Sequence, residues 1–336
     1  MVTIGASSGG VEALSRLVGG LPTDLPAAVL VVVHFPEGVP SALPRILNRA
    51  GSLEAVHPED GDRVERGRVY VAPPGFHLLV EDGRVRLACG PKENGHRPAV
   101  DPLFRSAAVA YGPRVVGIVL TGADDDGAAG LAAIKRRGGV AVAQDPNDAV
   151  FRRMPESALG YADVDYCAPV GEMAALLARL VREPAGEESL YPVPNDVELE
   201  AKIAGLDLAT IEDGRHPGEA SGCTCPECSG PLYEIQDGPF TRFRCRVGHA
   251  YTAEGVLEGK AEALEEALYA ALNTLRSTPP STPWRRARRS TESSPPARRN
   301  RQPRATERFE ARARKSREQA AAIRRVLMEG SAQDTG

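Results

Sequence analysis

Three residues of this 336-residue chain have the types that nucleophilic hydrolysis needs, and each sits beside a run that reads as the end of a strand. Ser7 lies in Gly5-Ala6-Ser7-Ser8-Gly9-Gly10, between apolar Val2-Thr3-Ile4 and a helical spacing of Val11, Leu14, Leu17 and Val18. A serine on such a strand-to-helix turn is lifted clear of the sheet, and its small neighbours admit a substrate. The helix start offers backbone N–H groups suited to an oxyanion. The same six residues also fit a plain glycine-rich turn or a phosphate-binding loop. His34 ends the apolar run 28–33, and Asp126 lies in Thr121-Gly122-Ala123-Asp124-Asp125-Asp126-Gly127 after the apolar run 115–120. Serine alone is a poor nucleophile; a histidine can take its proton, and a carboxylate can hold that histidine in the right tautomer. His34 could instead cap its strand, and Asp126 could cap the helix that follows. His57, His77 and His96 are the competing histidines. The order Ser, His, Asp differs from the Ser, Asp, His of α/β-hydrolases, which disfavours that fold.

A second group has the spacing of a metal site. Cys225-x2-Cys228 and Cys245-x3-His249 form two short pairs, with sixteen residues between the pairs to build a hairpin. Three thiolates and an imidazole suit a closed tetrahedral Zn²⁺ of structural type, with Cys223 a spare for Cys225. Reduced free thiols in a loop are the plainer alternative. Cys89 and Cys167 are isolated.

The elements that must carry these groups alternate over residues 1–182. Strand-like runs at 28–33, 69–72, 115–120 and 140–143 are separated by helical patterns at 41–48, 103–110 and 173–181. Asp82-Gly83 between two alternating runs is a hairpin signal. The expected fold class is therefore α/β, a doubly wound and mainly parallel sheet with an antiparallel hairpin. In such a sheet, loops after the carboxyl ends of strands converge on one edge, which is where Ser7, His34 and Asp126 fall. Residues 183–222 turn polar and read as a linker, 223–252 as a small zinc-ribbon-like module, and 253–276 as a helix. Residues 277–306 are Ser/Pro/Arg-rich and read as disordered, and 307–330 resume a helical pattern.

Bulk properties exclude several classes. No apolar stretch approaches the length of a membrane span, and the N-terminus lacks a secretory pattern, so a cytoplasmic protein without membrane insertion is expected. Net charge is −4, yet from Leu275 onward sixteen Arg and Lys face six Asp and Glu, a local +10 that leaves the rest at −14. A basic tail can bind nucleic acid, fold back on an acidic body or stay solvated, and the last two readings are preferred.

In order along the chain, IGASSGGVEAL, VVVHFPEG, EDGDRVERGRVYVAPPGFHLLV, GHRPAVDPLFRSAA, VGIVLTGADDDGAAGL and AQDPNDAVFRRMPESAL resemble the catalytic domain of the CheB-type chemotaxis protein-glutamate methylesterases. The resemblance implies hydrolysis of glutamate γ-methyl esters on chemoreceptors with release of methanol, and deamidation of receptor glutamines as a side activity. It puts the nucleophile on Ser7, the base on His34 and the orienting carboxylate on Asp126, with oxyanion donors at the Ser8 and Ala123 amides. Implied partners are a methylated chemoreceptor or related signalling protein, a receptor methyltransferase and a sensory kinase. The family commonly reads Thr-Gly-Met-Gly-x-Asp-Gly, so Ala123 here replaces a methionine and Asp124 a glycine. Carboxylates added there would raise the histidine's pKa or compete with Asp126 for it. The chain starts on its first strand, which sets the expectation that the receiver domain of well-known members, and control by phosphorylation in cis, are absent. CPEC and FRCRVGHAYT resemble a C-terminal extension of some receiver-less homologues, for which a protein-interaction or regulatory role is expected. The second functional reading is a catalytically idle homologue that acts as a binding or regulatory module in a sensory complex.

Overall fold

The fold was obtained as a computed structural model, which describes residues 1–35, 38–207, 218–237 and 240–276, together with 318, 319, 321–323 and 325. The expected low-complexity segment 277–306 and most of 307–330 lie outside the described residues.

The chain opens with β1 (Val2–Ala6), α1 (Gly10–Gly19), β2 (Val29–Val33), α2 (Leu43–Ala50), β3 (Glu54–Val56) and β4 (Arg68–Val71). The hairpin β5 (His77–Glu81) and β6 (Arg84–Ala88) follows, then α3 (Val100–Tyr111), β7 (Val116–Val119), α4 (Ala128–Arg136), β8 (Val140–Gln144), α5 (Arg153–Tyr161), β9 (Tyr166–Ala168) and α6 (Val170–Leu180). Seven strands form one parallel sheet in the order β3-β4-β2-β1-β7-β8-β9. Both faces are covered, as the fully apolar strands require. Alternate residues sort to the two sides. Ile4, Val31 and Ile118 pack against Leu14, Leu17, Leu47 and Leu177 of α1, α2 and α6. Leu30, Val32 and Val119 pack against Phe104, Leu131 and Met154 of α3, α4 and α5, together with the hairpin. Gly5 leaves room for α3, since a Cβ there would lie 2.2 Å from Val100 Cγ1. The hairpin turns on Asp82 and Gly83 with both φ positive, as its sequence predicts.

The chain leaves β1 toward β2 on one side and reaches β7 on the other, so β2, β1 and β7 are neighbours at the point where the winding reverses. Their carboxyl ends are tied by backbone bonds: Ser7 N–H to Thr121 O, His34 N–H to Ala6 O, and Leu120 N–H to Gly5 O.

The stretch 183–222, expected as a linker, contains a packed helix, α7 (Asn195–Ala204), and the start of β10 (Glu219–Thr224). Val197, Glu200, Ile203 and Ala204 of α7 are buried, and the helix lies against α3. Next, β10, β11 (Pro231–Asp237), β12 (Phe240–Cys245) and β13 (Ala250–Thr252) form an antiparallel sheet, and α8 (Ala253–Arg276) follows. Residues 1–257 form one compact unit; the second, from Glu258 onward, is described mainly by the rest of α8.

Within the first unit, a buried ionic cluster joins the parts. Glu93 and Arg105 come from the αβ sandwich, Glu200 from α7, and Arg242 and Arg244 from β12. Glu200 receives both terminal nitrogens of Arg242 at 3.0 Å, with Arg244 at 3.2 Å and Arg105 at 3.3 Å. Glu93 receives Arg244 at 3.0 Å and also Arg105. Removing one partner of a buried pair leaves uncompensated charge. Glu200→Ala should therefore destabilise the unit by about 3–5 kcal/mol, read as a lower urea midpoint of unfolding.

Candidate active site

Ser7 follows β1 directly, and the turn closes with Gly10 N–H on Ser7 O at 2.9 Å. Gly9 caps α1 with φ +76, a left-handed conformation suited to glycine. Across from it, Gly122 has no space for a side chain: a Cβ would lie 1.9 Å from Met154 Sδ and 2.9 Å from Ser7 Cβ. The loop after β7 thus passes its backbone against the serine. Among the described residues, neither the Ser8 nor the Ala123 amide donates a backbone hydrogen bond, and both residues are exposed. Two unspent donors beside the serine are what an oxyanion would use.

His34 Nδ1 lies 3.2 Å from Ser7 Oγ, and His34 Nε2 lies 2.8 Å from Asp126 Oδ2. The three expected residues are thus brought together. Asp126 is fully buried and accepts from five donors: His34 Nε2, the amides of Val100 (2.6 Å), Asp101 (3.1 Å) and Gly127 (2.9 Å), and Asn94 Nδ2 (3.1 Å). Burial opposes its charge, but His34 and the amides hold its pKa below the usual carboxylate value. Val100 and Asp101 begin α3, so Asp126 caps that helix rather than the one it precedes.

Asp124 also reaches His34. Its Oδ2 is 3.0 Å from His34 Nδ1, the nitrogen that faces Ser7, and 3.4 Å from His96 Nε2. His96 stacks on His34 with ring centroids 3.7 Å apart and planes at 15°. Burial works against charge on His34, yet bonds to Asp124 and Asp126, and their negative charges, raise its pKa from 6.5 to about 9. The reciprocal effect holds Asp124 far below the usual carboxylate range. Of the two effects expected of Asp124, the raised histidine pKa is present. Its competition is for Nδ1 with Ser7, not for His34 with Asp126. Neutral His34 donates from Nε2 to Asp126 and accepts at Nδ1 from Ser7; protonated His34 turns its Nδ1–H to Asp124.

The competing histidines lie elsewhere or play other parts. His57 Nδ1 bonds Val71 O, and buried His77 bonds Pro91 O and the Ala99 amide. Asn94, which donates to Asp126, belongs to none of the motifs that point to the site. Its only signal in the sequence is Asn94-Gly95, a turn dipeptide, and both residues take positive φ.

Two groups have metal-ligand chemistry. His34, His96 and Asp124 converge, but two nearly parallel stacked rings cannot aim their in-plane lone pairs at one ion. Cys225, Cys228, Cys245 and His249 fit better. Cys228 Sγ is 3.6 Å from Cys245 Sγ, and His249 Nδ1 is 3.7 Å and 3.5 Å from the sulfurs of Cys225 and Cys245. Zn–S near ~2.3 Å and Zn–N near ~2.0 Å place tetrahedral ligand atoms at such separations. His249 Nε2 faces Glu227 at 3.4 Å, the outer carboxylate that leaves Nδ1 free to ligate. Each pair sits on a tight turn, between β10 and β11 and between β12 and β13, and exposed Cys223 stands outside the group.

Comparison with known proteins gives a consistent result. The family model described as CheB methylesterase matches residues 2–177. A protein-glutamate methylesterase/protein-glutamine glutaminase of Methanosarcina mazei is 40% identical over 190 residues, which cover 54% of this chain and 52% of that protein. A putative protein of the same description from Leptospira interrogans is 37% identical over 180 residues, covering 53% of this chain and 93% of that one. The crystal structure of the Thermotoga maritima CheB methylesterase catalytic domain superposes with a TM-score of 0.51 at 36% identity, over 54% of this chain and 97% of that one. The chain spans about half the length of the first curated relatives it matches.

Only neutral His34 can accept the Ser7 proton, and it predominates only above about pH 9. Sulfonylation of Ser7 by phenylmethanesulfonyl fluoride should rise with pH through a limb near 9. Asp124→Asn should move that limb down by about one to two units. The stabilisation linked to this shift is fully present below pH 6.5 and is lost as pH rises through about 9. Urea unfolding at pH 6 and pH 10 should show that loss in the wild type and less of it in Asp124→Asn.

Proposed function

The chain belongs to the CheB methylesterase family, and from that premise we propose that it hydrolyses γ-methyl esters of glutamate side chains on a methylated chemoreceptor or related signalling protein, releasing methanol. The observation that carries the reading is one imidazole set between Ser7 Oγ at 3.2 Å and buried Asp126 at 2.8 Å. Ser7 Oγ adds to the ester carbonyl as His34 Nδ1 takes its proton. Asp126 holds Nε2–H and balances the imidazolium, and the Ser8 and Ala123 amides face the developing oxyanion. The proton passes to the departing methoxide, leaving a glutamyl-Ser7 ester. Water then adds to this ester as His34 takes its proton, and collapse returns that proton to Ser7 with release of the glutamate carboxyl. An amide in place of the ester would follow the same route with loss of ammonia, which is the basis for proposing glutamine deamidation as a side activity.

Asp124 favours a restrained form of this enzyme. With a histidine near pKa 9, neutral base is present in about one molecule in a hundred at pH 7. The idle-module reading draws on the same contact, and turnover at pH 9 separates the two. We propose further that Cys225, Cys228, Cys245 and His249 hold a structural Zn²⁺. Four protein ligands leave no open position for water, so the ion would supply folding energy to the small antiparallel sheet. Among the described residues, no helix is long and apolar enough to cross a membrane. A cytoplasmic setting is proposed with the receptor substrate.

Methanol release from a methylated receptor at pH 9 should be lost in Ser7→Ala and His34→Ala, and should fall about 10⁴-fold in Asp126→Asn. Equal release by wild type and Ser7→Ala would remove the mechanism. The purified chain should contain one zinc, and none after Cys225→Ser/Cys245→Ser.

A further inference from the structure

The two turns that carry the zinc ligands do not face away from the active site. β13 starts at Ala250, the residue after His249, and is bound to the segment that supports the catalytic carboxylate. Ala250 O accepts the Asn94 amide at 2.7 Å, and the Ala250 amide reaches Lys92 O at 3.4 Å. Between these contacts runs a tight turn, with Glu93 and His96 exchanging backbone bonds at 3.2 and 2.9 Å. This single turn touches the catalytic group three ways. Asn94 Nδ2 donates to Asp126 and, at 3.3 Å, to Asp101; His96 stacks on His34; and His96 Nε2 faces Asp124. Two residues along β13, the Thr252 hydroxyl donates to Asp125 Oδ2 in the loop that carries Asp124 and Asp126. Asp125 is buried, and that hydroxyl meets its carboxyl there, where an unpaired polar group would be costly.

The sheet β10–β13 is poorly equipped to hold this position unaided. Its apolar cluster is Leu232, Tyr251, Val256 and two of the cysteines themselves, with Phe243 at the edge. An isolated fold with so small a core is marginal without a metal or a disulfide. Its arginines also cannot leave singly, because Arg242 and Arg244 share Glu200 and Arg244 also bonds Glu93. Detachment would leave Glu93, the first residue of the same turn, and Glu200 sharing Arg105 as their one buried cation among the residues of this cluster.

We infer that the Cys225/Cys228/Cys245/His249 knuckle is a metal-dependent clamp on the catalytic loop, with Asn94 and Thr252 as positioning residues through which a soft divalent cation controls Ser7. The inference rests on the methylesterase and zinc readings for its chemistry, but the clamp has its own observables. With zinc bound, the 92–96 turn and the 123–126 loop are fixed between β13 and the parallel sheet. With zinc removed, the small sheet opens, the Asn94 amide loses Ala250 O, Asp125 loses Thr252, and Asp126 keeps fewer donors while His34 loses its stacked neighbour's support.

The test uses the full chain, zinc-loaded and after stripping with 1,10-phenanthroline, with zinc content measured in each. Hydrogen exchange is followed in peptides covering 92–96 and 122–127, and Ser7 reactivity by phenylmethanesulfonyl fluoride labelling. Stripping should speed exchange in both peptides about tenfold and slow labelling, and added Zn²⁺ should reverse both. Zinc-loaded Thr252→Val should retain its zinc and its exchange in β11 and β12, yet label about fivefold more slowly, the equivalent of one hydrogen bond; Thr252→Ser should restore the rate. The inference is overturned if the chain binds no zinc, if stripping opens the small sheet while 92–96 exchanges as before, or if Thr252→Val labels like the wild type. Unreactive Ser7 in every form would instead overturn the methylesterase reading, and exchange at 92–96 would still decide the clamp.

Discussion

The Asp126 carboxylate is the constraint on which the site depends. It is inaccessible to water and could not remain charged there without its five donors. Two of those donors are the free amides at the start of α3, so the helix that covers one face of the sheet is anchored by the group that orients His34. Asp101, on that first turn, accepts Gly130 N–H at 2.6 Å and so ties α3 to α4. Burial and the charge of Asp126 push Asp101 up to about 7, which makes it the member of the pair able to take a proton near neutrality. One carboxylate therefore holds both the start of α3 and the imidazole of His34. A helix cap and the proposed orienting group are not alternatives here, because Oδ2 accepts both the Val100 amide and His34 Nε2.

Asp124 acts on the opposite side of the ring. A carboxylate at Nε2 stabilises the imidazolium that forms as Ser7 is deprotonated, and leaves Nδ1 available. A carboxylate at Nδ1 also stabilises that imidazolium, but it occupies the direction from which the proton must come. The two aspartates are two residues apart on one loop, and Asp124 Oδ1 accepts the Asp126 amide at 3.1 Å. Their placement is thus coupled, since one loop carries both carboxylates to the two nitrogens of His34. Asp124 is the more accessible of the two, with its side chain 21% exposed against 0% for Asp126.

Much of this was legible in the chain itself. The apolar runs that become β2 and β7 end at His34 and just before the Thr121–Gly127 loop, and a parallel sheet can only bring such ends together at one edge. Spacing also placed the two cysteine pairs on turns. The rest was hidden for physical reasons. β3 and β9 are three residues long, too short for a periodic signal, and α5 carries Pro155 in its first turn. α7 hides in a polar, Gly- and Pro-containing stretch that reads as linker, and its buried face includes Glu200. A buried glutamate looks like a solvated one until its partners are known, and they lie far off in sequence, at Arg105 before it and at Arg242 and Arg244 after it. The family resemblance sets Asp124 where a glycine is common, but no sequence pattern says which ring nitrogen it meets.

The buried ions explain how a separate-looking module acquires a fixed pose. Buried ion pairs are weak evidence for stability, since desolvation offsets most of their attraction. Their value here is geometric. Arg242 and Arg244 are two apart on β12 and so point to one face of the small sheet, where both meet Glu200. Slipping that strand by one residue would turn both arginines to the other face and leave Glu93 and Glu200 buried with Arg105 alone. An apolar seam would tolerate such a slip far better. The charges therefore specify one register, and that register is the one in which Ala250 meets Asn94 and Thr252 meets Asp125. A contact set more than one hundred residues apart in sequence is thereby fixed to the accuracy that a hydrogen-bonded active site requires.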